Sequence, residues 1–301
     1  TEGWRNPGLS QPPPSLGVLR LSETAFGPFT AGRFSEALQS WREAFSRDTT
    51  WLYPLWRIGA MYTQLGRWQE RDSVLAFMEA RRERLFPGDA LRLDYLRAWH
   101  RSPEEALRTA EAFYSAEPYY AFAVLWCLVA ARRPAEALRY YALRDTTAAW
   151  DRGWQWWDYH AAAAYHMLGR FEEELALTRA ARAREPRFYD HWAREVAALA
   201  ALGRTEEIER IITESHTLET QGAPVRLMNT AASESSLHGR PEEAKGHAER
   251  VVSGLAQWPD SIQALAGTKD ILRNALRILG RHDEAVRIYE EQSRTAGVGR
   301  L

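Results

Sequence analysis

Gly32-Arg33-Phe34-Ser35-Glu36-Ala37-Leu38 reads as the end of one helix followed directly by the start of another. Glycine closes a helix easily because it adopts left-handed backbone without a Cβ clash. The acidic residue just inside the next helix faces the positive end of its dipole. The phrase returns as Gly66-Arg67-Trp68-Gln69-Glu70-Arg71, Arg101-Ser102-Pro103-Glu104-Glu105-Ala106-Leu107 and Arg132-Arg133-Pro134-Ala135-Glu136-Ala137-Leu138. It continues as Gly169-Arg170-Phe171-Glu172-Glu173-Glu174-Leu175 and Gly203-Arg204-Thr205-Glu206-Glu207-Ile208. The last two copies are Gly239-Arg240-Pro241-Glu242-Glu243-Ala244 and Gly280-Arg281-His282-Asp283-Glu284-Ala285. With the sixth residue as anchor, the copies fall at 37, 71, 106, 137, 174, 208, 244 and 285, spaced by 34, 35, 31, 37, 34, 36 and 41.

Each copy predicts a helix hairpin with one apolar face that must stack on its neighbours to be buried. Proline at 103, 134 and 241 sits where a first-turn proline is tolerated, and Pro118 and Pro186 end second helices. The small anchors Ala37, Ala106, Ala137, Ala244 and Ala285 let paired helices approach closely; Arg71, Glu174 and Ile208 depart from that rule. Longer loops are expected near residues 143–151, 218–224 and 254–262.

These spacings resemble the tetratricopeptide repeat (TPR) family over about residues 18–295. Leu55, Ile58, Gly59, Tyr62, Gly66 and Trp68 follow its pattern in the second copy, as do Tyr165, Gly169, Phe171 and Pro186 in the fifth and Trp192 and Gly203 in the sixth. The third and fourth copies lack the inter-helix glycine. The divergent TPR arrays of bacterial regulators, such as receptor-like Ser/Thr kinases and transcriptional activators, are the nearest in flavour, through stretches such as residues 91–99. The resemblance implies an all-α, right-handed α-solenoid of about eight hairpins, with first helices lining a concave face. Trp68, Tyr165, Phe171 and Trp192 are assigned to its core. Residues 1–17, with Pro12-Pro13-Pro14, predict an extended arm or linker, and 296–301 a tail. That the chain opens with Thr1 predicts that something upstream has been removed.

Composition narrows the function. The 301 residues carry 39 basic against 40 acidic side chains, a balance unlike that of a nucleic-acid binder, and the 45% hydrophobic content is globular usage. No apolar run is long enough to span a bilayer. A single cysteine, Cys127, excludes internal disulfides and cysteine-built metal cages, and lies in an apolar run as an inert core thiol. The closest two of the eight histidines, His160 and His166, are six residues apart and turn to different sides of a helix. Lys269 follows Gly267-Thr268 without a phosphate-binding glycine loop, and the repeated glutamate pairs are explained by helix N-terminal electrostatics. Neither catalysis nor a cofactor or metal is expected.

An aromatic surplus remains, with 13 tryptophans, and 37 of the 39 basic residues are arginines, the two lysines being Lys245 and Lys269. Helical phase places Tyr53, Trp56 and Arg57 on the concave side of copy two, and Arg92, Tyr95 and Trp99 in copy three. Tyr119, Phe122 and Trp126 follow in copy four, then Trp156, Tyr159, His160 and His166 in copy five, and Arg194, Arg226, Asn229 and Asn274 beyond. Trp150 and Trp154 add rings near the fifth copy. Aromatic stripes are more often core than contact surface, but Tyr, Trp and Arg also dominate interface energetics. A groove of this kind suits an extended peptide or protein loop, with arginine available to carboxylates. Chaperone-binding TPR domains use a lysine and asparagine clamp for a terminal carboxylate, for which the early copies lack the residues. The sequence thus predicts a protein-binding scaffold, an extrinsic or assembly subunit of a larger bacterial complex. The competing reading is the ligand- or peptide-sensing part of a kinase or transcription regulator. A periplasmic or membrane-peripheral setting is preferred over a cytoplasmic one.

Overall fold

The computed structural model describes residues 15–30, 33–99, 101–116, 121–144 and 156–297. Pro118, Tyr119, Trp150 and Trp154 lie outside the described residues. The described residues form helices, turns and loops, with no strand among them. The chain divides into two compact units, residues 1–168 and 169–301.

The first unit holds α1 (Leu16–Thr24), α2 (Phe26–Thr30), α3 (Phe34–Arg47), α4 (Tyr53–Gln64) and α5 (Trp68–Glu79). It continues with α6 (Pro87–Ala98), α7 (Pro103–Ala116), α8 (Ala121–Ala130), α9 (Pro134–Tyr141) and α10 (Trp156–Met167). Each of α3 to α9 packs on the helix after it, and α4 also packs on α6 and α8 on α10. Neighbour-on-neighbour packing of this kind is how repeat arrays bury the face a lone hairpin cannot hide. Trp41, Leu55, Ile58, Met61, Met78 and Leu93 share one core cluster. Seven of the ten residues of α8 are buried, including Cys127, as expected of a helix apolar all round.

The second unit holds α11 (Phe171–Arg184), α12 (Tyr189–Leu202), α13 (Thr205–Glu214), α14 (Ala223–Leu237), α15 (Pro241–Leu255), α16 (Asp260–Gln263), α17 (Ala266–Ile278) and α18 (His282–Gly297). Here α12 packs on α14 and α14 on α17, while α15 and α18 back onto α14 and α17. The helices reach from Leu16 to Gly297, so helical structure begins inside the N-terminal segment expected to be extended and ends inside the expected tail.

The glycine phrase works as a paired device. At Gly66, Gly203, Gly239 and Gly280 the backbone is left-handed, and two hydrogen bonds close the helix end. In copy two, Arg67 N donates to Tyr62 O at 2.8 Å and Gly66 N to Thr63 O at 3.1 Å, a Schellman closure. Copy four, which has no glycine, keeps the geometry: Arg132 takes φ +57° and Arg133 N donates to Leu128 O at 2.8 Å. The arginine then heads the following helix and pairs with the glutamate three residues on, as in Arg67–Glu70 (2.6 Å), Arg133–Glu136 (2.6 Å), Arg170–Glu173 (2.8 Å) and Arg281–Glu284 (2.6 Å). Arg240 departs from that pattern. Its Nη1 donates to the carbonyls of Ala200 and Ala201, at 2.8 and 3.1 Å, capping α12 from the next repeat.

The anchor position is buried in its small copies, and Ile208 is buried too. Glu174 is also fully buried there, held by Arg194 at 3.3 Å. One assignment is corrected. Trp68 is 45% exposed and carries the Arg71 guanidinium 5.3 Å above its ring, because the first residue of α5 points outward as a platform for that charge. Trp192 is buried as assigned, while Tyr165 and Phe171 are partly buried.

Candidate ring-lined surface and arginine cage

The helices of unit one bring the aromatic side chains together in two groups. The first is a cage around Arg57, on α4. Its guanidinium lies 4.1 Å from the centroid of Trp56, 4.8 Å from Phe26 and 5.8 Å from both Trp41 and Tyr53. Cation–π attraction at such distances is strongest where water is excluded, and Arg57 is 9% exposed. Its Nε and Nη2 donate to Tyr53 Oη at 3.3 and 3.2 Å. Trp51 stacks on Tyr53, 5.4 Å between centroids.

A second arginine borders the same rings. Arg92, on α6, lies 5.7 Å from Trp56, 5.8 Å from Tyr53 and 5.3 Å from Phe113. It pairs with Asp89 at 2.7 Å, one helical turn away, and both side chains are 2% exposed. Arg92 is thus a compensated buried charge, and no shielded carboxylate among the described residues plays that part for Arg57.

The second group is a run of rings on α6 and its C-cap residue, on α8 and on α10. Tyr95 meets Trp99 edge-on at 5.4 Å, and Trp99 meets Trp126 edge-on. Trp126 stacks on His160 at 5.2 Å with 22° between planes, and His160 is stacked by Trp156 at 6.2 Å. Phe122 packs against Trp126, Trp157 and His160 at 6.1, 5.6 and 5.6 Å, while Tyr159 meets His160 edge-on at 5.0 Å. Offset and edge-to-face geometries of this sort add about 1 kcal/mol per pair beyond area burial.

Depth separates the residues that phase alone had grouped. Tyr53, Arg57, Arg92, Tyr95 and His160 are buried, Arg57 at the margin with 9% exposure. Trp56, Trp99, Phe122, Trp126, Trp156, Tyr159 and His166 are half-buried and keep a face or edge toward solvent. Arg194 belongs to unit two, where it serves Glu174. Also in unit two, Asn274 donates to Asn229 Oδ1 at 2.9 Å and to Ser233 Oγ at 2.7 Å, and Arg226 to Gln221 O at 3.1 Å. Its expected strip is thus a polar ladder. Sequence reasoning missed Phe26, Trp41, Asp89 and Phe113 in the cage. The spacing of Asp89 and Arg92, one turn apart, was the available signal for the ion pair; the rings arrive from three other helices and leave no local trace.

The electrostatics are those of packing. Burial pushes the Cys127 thiol up to about 12, with Tyr95 hydrogen-bonded to it as a smaller opposing influence, which leaves no thiolate for nucleophilic work near neutrality. No helix among the described residues is long and apolar enough to cross a membrane.

No family model matches the chain, and no curated protein matches it. Among solved structures it is similar to a tetratricopeptide repeat protein from Parabacteroides merdae, at 12% identity over 87% of this chain and 100% of that one, with a TM-score of 0.48. It is also similar to the TPR domain of P58(IPK), at 14% identity over 92% of this chain and 93% of that one, with a TM-score of 0.32. This chain's own hairpins, with a Schellman glycine, a small buried anchor and first-helix stacking at a period near 34 residues, make it an all-α, TPR-like helix-repeat protein.

Proposed function

We propose that the chain is a non-enzymatic protein-binding scaffold and that the ring-lined surface of unit one is where it holds another polypeptide. The observation that carries this reading is the run Trp99–Trp126–His160–Trp156, whose tryptophans stay half-buried although each is already braced by a neighbouring ring. Rigid, part-exposed aromatic side chains supply contact area at low entropic cost and are the residues on which interface energy concentrates. A prebuilt surface of helices also avoids the ordering cost that a flexible binder incurs. Within this reading the chain serves as an accessory subunit that clamps or assembles a larger complex.

Site-specific photo-crosslinking tests the surface directly. A benzophenone amino acid at position 126 or 156 should trap a polypeptide in the native extract, whereas the same group at Glu104, exposed on α7, should not. Equal trapping at all three positions, or at Glu104 alone, would reject the surface. Mass spectrometry of the trapped species, and of what co-purifies with the untagged chain, separates a stable complex from a transient regulatory contact.

A further inference from the structure

The cage around Arg57 holds several donors and, facing the guanidinium, one hydroxyl acceptor, Tyr53 Oη. Arg57 is 9% exposed, its fork is spent on a single phenol oxygen, and among the described residues it has no carboxylate partner. The indole Nε1 atoms of Trp41 and Trp56, in the same cage, are buried without a hydrogen-bond partner among the described residues. Buried indole N–H groups ordinarily find one, and a buried guanidinium is ordinarily paired. Nearby Arg92, by contrast, has Asp89 as its carboxylate partner. Carboxylate oxygens offer the missing chemistry: they accept from the planar fork in two parallel bonds, and inside an aromatic wall they gain from weak screening.

We propose that Arg57 is the specificity-determining residue of the ring-lined surface and receives an acidic side chain, aspartate or glutamate, of the bound polypeptide. The inference rests on the proposed function and adds to it the charge of the partner. Arg57 Nη1 makes no hydrogen bond within the described residues and is not among the fully enclosed nitrogens, which leaves it as the donor a visiting carboxylate meets first. The Trp56 ring, half-buried and in contact with the guanidinium, forms the wall of that approach. Arg57 thus selects for an acidic residue placed near an aromatic or aliphatic one.

The test uses the full chain and two blocked dipeptides, N-acetyl-Asp-Phe-amide and N-acetyl-Asn-Phe-amide, followed through the Arg57 Nε–H resonance. The aspartyl probe should shift that resonance saturably, with the asparaginyl probe at least ten-fold weaker, and the shift should vanish below about pH 3 as the probe's carboxylate is protonated. R57K keeps the charge but loses the fork and should bind the aspartyl probe several-fold more weakly; R57Q should not bind it. Equal binding of the two dipeptides to the unaltered protein overturns the inference without relying on any variant. So does an equal shift with inorganic phosphate, which would mark an unselective anion site. Crosslinking at positions 126 and 156 without an Arg57 response overturns this inference alone; an Arg57 response without crosslinking overturns the ring-surface reading.

Discussion

At the scale of single residues, the chain exposes its own rules where it breaks them. Arg132 holds a left-handed backbone at the place glycine holds in most other copies, a conformation that costs a residue with a Cβ about 1 kcal/mol. R132G should therefore raise stability by about 1 kcal/mol, less the entropy that glycine adds to the unfolded chain. A shift of the urea midpoint upward, at unchanged slope, is the expected result; a downward shift would mean that the arginine side chain supports the turn. Gly203 shows the opposite case. A Cβ there would stand 2.7 Å from the Arg240 Nε and 2.9 Å from its Nη2, whereas at Gly66 it would meet nothing within 4 Å. G66A should cost about 1 kcal/mol from backbone strain alone, and G203A should cost more, because it also drives Arg240 off the end of α12. Equal losses for the two, measured by chemical denaturation, would show that the Arg240 cap contributes nothing.

At the scale of elements, second helices are stitched to first helices by shared carboxylates. Glu195, on α12, is almost wholly buried and lies between Arg179 at 3.0 Å and Arg182 at 2.7 Å, both on α11. Arg182 also stacks 4.5 Å over Trp192 and reaches Glu214 at 3.1 Å, while Arg179 reaches Glu207. Removing one partner of a buried pair leaves the other charge uncompensated, at about 3 kcal/mol. The two arginines retain outer carboxylates, so E195Q should cost about 2 kcal/mol, while E207Q, with a more exposed carboxylate, should cost well under 1 kcal/mol. Urea midpoints of the two variants decide this; a larger loss for E207Q would place the network's weight on the surface. The elements themselves were legible because their signals are local: a glycine stop, an arginine three residues before a glutamate, a first-turn proline. The Arg240 cap and the Glu195 clamp were not, because they join residues 40 and 16 positions apart. Likewise, helical phase groups Tyr95 with Trp99, but it does not tell that one is buried and the other left half-open. Depth depends on the neighbouring helix, and Trp68 was misplaced for the same reason.

At the scale of the molecule, the arginine load has a use that composition did not reveal. In the second unit, arginines pair with glutamates across successive repeats, as in Arg250–Glu209 at 2.6 Å and Arg182–Glu214, and both lysines are paired, Lys245 with Glu242 and Lys269 with Glu291. Near-neutral net charge thus arises from interleaved opposite charges, each exposed pair contributing little by itself. Two titratable groups in the second unit, Asp190 and His247, couple its stability to pH in opposite directions. Burial raises the Asp190 carboxyl from 3.8 to about 6, with Arg194 opposing, so the native state holds its proton more tightly than the unfolded chain. That contribution is fully present below pH 3.8 and is lost as pH rises through about 6. Burial lowers His247 from 6.5, with Glu209 opposing, so its effect runs the other way: stability is complete above pH 6.5 and falls as the unfolded chain takes up a proton below it. D190N should accordingly raise stability at pH 7 to 8 by about 1 to 2 kcal/mol, since the carboxyl retains some contact with solvent, and the gain should fade to nothing near pH 4. Urea midpoints of both proteins between pH 4 and 8 measure it. A gain independent of pH would assign the effect to the amide's packing, and a gain largest at acid pH would reverse the sign of the Asp190 coupling and place its carboxylate, not its acid form, as the favoured species in the fold.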